Sequence, residues 1–190
     1  AGDGYHLWSE SYDRNLTDIF EVQDEISAII TNKLRENFTA VRQTDQWAKP
    51  RTKNIEAYTS YLKGLHYWNK LTPADTRKAI ECFETAILLE PDYAQAYALA
   101  AGAYSHLGAT GQMLPQKAFD IVRTYANKAL ALDDNIAEGH IAMASYYLFY
   151  EWNWKDSYDA LQKAIRLNPG ATTAYQLLGF YYIIMGQKDE

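Results

Sequence analysis

The chain has 190 residues, 48% of them hydrophobic, enough to bury a substantial core as one elongated domain or as a domain with an appendage. Its 18 Lys and Arg stand against 24 Asp and Glu, a net charge of -6, which leaves no basic footprint for nucleic acid. The single cysteine, Cys82, excludes a disulfide framework and a thiolate metal cluster. No apolar run reaches the roughly 18 residues of a membrane helix and no signal-type segment opens the chain, so membrane insertion by this segment is not expected.

Residues 1–14 carry the aromatic run Tyr5-His-Leu-Trp-Ser-Glu-Ser-Tyr12. It tolerates strand alternation, but no later stretch reads as a second strand, so it is expected to be the remnant strand or arm of an upstream domain. Residues 15–38 read as an amphipathic connecting or capping helix. Ile19, Val22, Ile26, Ile29, Ile30 and Leu34 recur at spacings of three and four, Thr17 can cap, and Asp18 and Glu21 suit the positive end of the helix dipole. Residues 39–56, with Pro50 and the cations Lys49, Arg51 and Lys53, are a linker with a solvated basic face.

From residue 57 onward one pattern recurs. Tyr97-x-x-Ala100-Ala101-x-x-Tyr104, His140-x-x-Met143-Ala144-x-x-Tyr147 and Tyr175-x-x-Leu178-Gly179-x-x-Tyr182 each place a bulky ring, two compact residues and a tyrosine on one helical face. A complementary pattern precedes each: Ala79, Phe83, Ala86, Pro91; then Val122, Ala126, Ala129, Asp134; then Ser157, Leu161, Ala164, Pro169. This resembles the tetratricopeptide repeat (TPR), a helix-turn-helix unit of 34 residues. The resemblance implies an all-α, right-handed TPR-type solenoid: repeats at 57–92, 93–135 and 136–170, then the first helix of a fourth at 171–190. Helices are expected near 57–70, 74–89, 93–107, 116–132, 136–149, 154–167 and 171–185.

The ring positions Ser60, Tyr97, His140 and Tyr175 are 37, 43 and 35 residues apart, so the largest insertion lies in the second repeat. His106-Leu-Gly-Ala-Thr-Gly-Gln-Met-Leu-Pro115 is expected there as a surface loop, its two glycines and proline breaking the helix. In the first repeat Thr72 can cap and Pro73 can open the second helix. The fourth repeat stops after Gly186 at Gln-Lys-Asp-Glu190. The apolar faces at both ends of the chain are expected to make a homo-oligomer through exposed ends.

The run from Asp3 to Arg14, followed by Leu16, Asp18-Ile-Phe20 and Gln23-Asp-Glu-Ile26, is similar to the junction in bacterial multidomain signalling proteins where a TolB-like domain hands over to TPRs. Tyr61-Leu-Lys-Gly64, Glu151-Trp-Asn-Trp154 and Leu167-Asn-Pro169 extend that resemblance over most of the chain. In such proteins the effector is commonly a class III nucleotide cyclase or a winged-helix transcription activator, which implies a regulatory region in the bacterial cytoplasm, with the periplasm as the alternative.

No catalytic constellation appears. His6, His66, His106 and His140 lack the spacing of a helical zinc site, and Gly108-Ala-Thr-Gly111 lacks the Gly-Lys-Ser/Thr of a phosphate loop. No cofactor or metal is expected. Two tryptophans at Glu151-Trp-Asn-Trp154 can clamp a ligand or cover a helix pair.

The TPR resemblance implies a concave wall built by first helices, here Tyr58, Tyr61, Leu65, Trp68, Gln95, Ala98, His106, Glu138, Ile141, Phe149, Gln176, Phe180 and Ile184. None is Lys or Arg, so a clamp on a partner's terminal carboxylate is disfavoured. The expectation is a non-catalytic scaffold binding a protein or peptide, with the 17–37 helix as an internal candidate occupant. The alternative is a small-molecule sensor acting on an effector domain.

Overall fold

The structure, a computed structural model, describes Thr52 and residues 54–186. The expected strand at 1–14, the helix at 15–38, most of the linker and the last four residues lie outside the described residues. Among the described residues seven helices follow one another: α1 Ile55–Trp68, α2 Pro73–Leu89, α3 Ala94–Ala109, α4 Pro115–Leu132, α5 Ala137–Tyr146, α6 Trp154–Leu167 and α7 Thr172–Ile184. No strand occurs among the described residues.

Capping chemistry sets several of these boundaries. α1 starts two residues before the expected position because the Asn54 side chain accepts from the N–H groups of Glu56 and Ala57 at 3.0 and 3.1 Å. The same side chain donates to the Leu89 carbonyl at 3.0 Å, tying the start of α1 to the end of α2. Thr72 caps α2 through the Asp75 N–H at 3.1 Å, and Pro73 opens the helix.

The long insertion of the second repeat differs from its expected form. α3 runs through Gly108 to Ala109, because Gly108 is where α4 crosses: an added Cβ would stand 2.8 Å from Ala118 Cβ and 3.2 Å from the Phe119 ring. Here glycine permits close packing of two helices instead of ending one. The loop shrinks to residues 110–114, turned by Gly111 at φ 70° and pinned by Arg77 Nη2 donating to the Gln112 carbonyl at 2.7 Å.

α5 also departs from expectation. It passes into a π-helical turn at Tyr147–Glu151 and stops on Trp152 in the left-handed region, φ 60°. A π turn accommodates an extra residue within a helix, and here it brings several rings into contact. Tyr150 stacks on Phe119 at 5.4 Å and lies 5.8 Å from Tyr146, while Phe149 meets Phe180 of α7 edge-on at 6.1 Å.

The core lies between paired helices and follows a knob-and-hole logic. Phe83 of α2 is fully buried against Gly64 of α1, where an added Cβ would stand 2.4 Å from the ring. Phe119 of α4 packs with Ala101 of α3, and Leu161 of α6 with Ala144 of α5. Burying one such side chain contributes about 1.5–3 kcal/mol. Alanines at 0% exposure, among them Ala86 and Ala164, keep the backbones close.

Successive pairs are joined by polar ties as well. Ser105 of α3 donates to Ser145 of α5 at 2.7 Å, and Ser145 donates to the Ala142 carbonyl at 2.7 Å, which satisfies both buried hydroxyls. Asp134, at a position where the repeat usually has proline, pairs with Lys163, and its carbonyl accepts from His140 Nε2 at 2.9 Å. Lys163, bonded directly to the Asp134 carboxylate, holds that carboxyl below the usual range.

Candidate binding wall of the first helices

Helical geometry identifies the open face of α3 by elimination. Ala96 packs with Ala57 and Ala86, Ala100 with Ala79 and Phe83, Ala101 with Phe119, and Ser105 with Ser145. These contacts occupy the sides toward α1, α2, α4 and α5. The remaining stripe is Gln95, Leu99, Gly102 and His106, at spacings of four, three and four, which share one helical face, although Leu99 also packs in part beside Ala79 and Phe83. All four are half-buried, and a Cβ added at Gly102 would meet no atom within 4 Å. The α3 backbone is therefore uncovered at the middle of this stripe.

The same register, 37 residues earlier, selects Tyr58, Leu62 and Leu65 on α1. Leu62 is 43% exposed. Leu62, Leu99 and Gly102 lie on this stripe and were not among the expected positions, although the repeat offset carries the signal: Leu62 and Leu99 occupy equivalent positions.

The expected wall residues divide by placement. Trp68 and His106 come together edge-on, ring centres 5.8 Å apart, and close one end of the α1–α3 surface. Tyr58 stacks on Tyr61 at 6.5 Å. Tyr61 itself is wedged against Tyr93 at 5.1 Å and Phe83 at 6.0 Å, so most of its ring belongs to the core. Leu65 packs beside Phe83 and Ile141 beside the α5–α6–α7 core, each leaving a half-buried edge.

Ala98 requires a correction. It is 1% exposed, packed with Ala129 of α4 and Ile136 just before α5, because its position on α3 faces the helices that follow. Gln95 and Glu138 are half-buried, Gln176 is exposed, and Phe180 and Ile184 are 51% and 48% exposed.

The wall's electrostatics are sparse. Glu138 is the one charged side chain among the thirteen expected positions if histidine is neutral. Charge and hydrogen bonding gather instead between helices, where Tyr104 and Tyr125 both donate to Glu84 Oε1, at 2.8 and 3.1 Å. Burial, with Glu84 beside it, pushes the Tyr125 phenol up to about 12 and the Tyr104 phenol higher still. Burial likewise pushes the Cys82 thiol up, the direction of an unreactive thiol.

At the two-tryptophan turn, Trp154 packs on the α5–α6–α7 core, whereas the left-handed backbone at Trp152 leaves it 68% exposed. The rings meet edge-on at 5.7 Å. Among the described residues no group of three or more His, Cys, Asp or Glu is placed to hold a metal, and no helix is long and apolar enough to cross a membrane.

Solved structures share this arrangement. The Arabidopsis OM64 TPR domain superposes with a TM-score of 0.53 at 17% identity, covering 68% of this chain and 97% of that one. The TPR2B domain of yeast Sti1, solved as a pHsp70 complex, gives 0.53 at 22% identity over 70% and 99%. The first TPR of Spaghetti (RPAP3), bound to the HSP90 peptide SRMEEVD, gives 0.52 at 16% over 73% and 99%. The fold is a TPR-type α-solenoid.

No family model matches the chain. A curated Rhizobium meliloti (strain 1021) protein named "Putative adenylate cyclase 3" is 32% identical over 95 residues, which are 50% of this chain and 16% of that relative. The match thus spans only a small part of the relative's length.

Proposed function

We propose that this solenoid is a non-catalytic interaction module that takes a peptide or helix along the concave wall of α1, α3, α5 and α7. The observation that carries the reading is the uncovered α3 backbone at Gly102, with Leu62 43% exposed on α1 and Phe149 half-buried in the π turn after α5. A bare helix face among aliphatic and aromatic edges suits side-chain anchors of an extended or helical ligand. Two of the solved TPR neighbours are named for complexes with Hsp70 or an HSP90 peptide, which supports the general mode.

The partner's chemistry differs from SRMEEVD, whose last four residues include three acids. With Glu138 and no Lys or Arg on the expected wall, this chain favours an apolar-anchored ligand over an acidic one. The similarity to the named adenylate cyclase, together with the Asp3–Arg14 run, supports a regulatory region of a bacterial signalling protein. Any cyclase chemistry belongs to another part of such a protein.

Selection of binding peptides from a displayed random library, followed by fluorescence polarisation, tests this. Gly102→Leu fills open space without a clash, and Phe149→Ala removes an anchor. Each should weaken the selected peptides by about 30-fold, the scale of a hot-spot loss near 2 kcal/mol, with the far-UV spectrum preserved. Peptides that bind both variants as tightly as wild type, or that are uniformly acidic, would overturn the reading.

A further inference from the structure

Equivalent positions near the starts of the four first helices are polar. Offsets of 37, 43 and 35 residues carry Tyr58 of α1 to Gln95 of α3, Glu138 of α5 and Thr173 of α7, and of these four only Glu138 is charged. It is the second residue of α5, and it is half-buried.

Among the described residues no hydrogen bond or ion pair reaches the Glu138 carboxylate. Asp134, four residues earlier, already engages the basic groups that meet this end of α5, Lys163 at its carboxylate and His140 Nε2 at its carbonyl. The positive end of the α5 dipole favours an acid here, as the α1 dipole does for Glu56, the second residue of α1. Glu56, however, is exposed and lies two residues before Tyr58, about 200° away around the helix. Glu138 shares a helical face with Ile141, three residues on, whose half-buried edge is apolar. A carboxylate beside an aliphatic edge suits a Lys or Arg side chain, with its apolar stem and charged head.

We propose that Glu138 determines the specificity of the wall by selecting peptides with a lysine or arginine beside their apolar anchors, the stem lying on Ile141 and the head on the Glu138 carboxylate. This role rests on the wall being the peptide site, and it names the one charged feature that the ligand carries. Charge complementarity decides the class. A ligand lying across α5 takes water from the carboxylate, and the wall's expected positions hold no Lys or Arg to pair with it instead. A neutral ligand therefore leaves a desolvated charge unpaired, and an acidic one adds repulsion. Only a basic side chain returns what the water supplied.

Peptides selected from a displayed random library against the whole chain test this role. They should carry Lys or Arg at one fixed place among their apolar anchors. In fluorescence polarisation, Glu138→Gln should weaken the tightest of them roughly 10-fold, the scale of losing a hydrogen bond between charged groups, and should not weaken its analogue with norleucine at the basic position. Glu56→Gln, the same charge change off the wall, should alter neither. Raised salt should weaken the basic peptide more than the analogue. Peptides that need Gly102 and Phe149 yet show no fixed cation, or whose neutral analogue falls as far on Glu138→Gln, overturn the role of Glu138 and leave the wall standing. Peptides indifferent to Gly102→Leu and Phe149→Ala overturn both.

Discussion

Gly64 and Gly179 occupy equivalent places in the first and fourth repeats, and their surroundings are opposite. A Cβ at Gly64 would stand inside the Phe83 ring's contact shell, at 2.4 Å, and one at Gly179 would touch nothing. The difference teaches that the small residue in this repeat specifies a mating surface, while the mating helix decides what that residue contributes. At Gly64 glycine permits ring burial that offsets its entropic cost. At Gly179 that cost stands alone, because no described side chain fills the hole.

Removing the ring should break the comparison most severely. Phe83→Ala is expected to cost about 3–5 kcal/mol, the range for deleting a buried aromatic, read as a fall in denaturation midpoint with the slope retained. Overpacking comes next: Ala86→Leu and Ala164→Leu, both at 0% exposure, should each cost about 1–3 kcal/mol. Unchanged melting of both would show that the paired backbones are not in close contact there.

The glycine pair itself gives the sharpest contrast. Gly64→Ala should destabilise, on the order of 1–3 kcal/mol for overpacking against a rigid ring. Gly179→Ala should stabilise by roughly 0.5–1 kcal/mol, the helix propensity gain at an open position. Melting shifts of the same sign in the two variants would contradict the structural difference.

The smallest expected effect concerns the tie between the first two repeats. Tyr125 has its folded value raised from 10.0 to about 12, chiefly by burial and then by Glu84, and Tyr104 shifts in the same direction. These phenols stay neutral in the fold where the unfolded chain has ionised. Their contribution is full below pH 10 and is lost as pH rises toward 12, since the unfolded state then binds fewer protons. Absorbance at 295 nm should show a late-titrating tyrosine class, and Glu84→Gln should move it only part of the way down because burial remains.

Much of the helical frame was legible in the sequence because its determinants are local. Thr72 and Pro73 announced a helix start, and the Ala/Phe/Ala and Tyr/Ala/Ala/Tyr patterns placed paired faces within a few residues. The errors arose where a nonlocal contact overrode a local signal. Gly108 looked like a helix breaker until α4 crossed on it. The π turn at Tyr147–Glu151 carries no local marker, and it accompanies ring contacts with Phe119 and Phe180, far away in sequence.

The wall followed the same rule. Repeat register chose the first helices and several of their exposed edges, including Phe180 and Ile184. It also put Ala98 on the wall and omitted Gly102, because Ala98 lies at the edge of the open stripe, about 40° in direction from Gly102, where the following helices already cover α3. Sequence by itself determined most of the helices and their pairing, since these follow from periodicity, and through the TPR resemblance it implied an apolar, cation-free wall. Only the tertiary structure decided which small residues are filled holes and which are bare, because that depends on what a second helix brings to the contact.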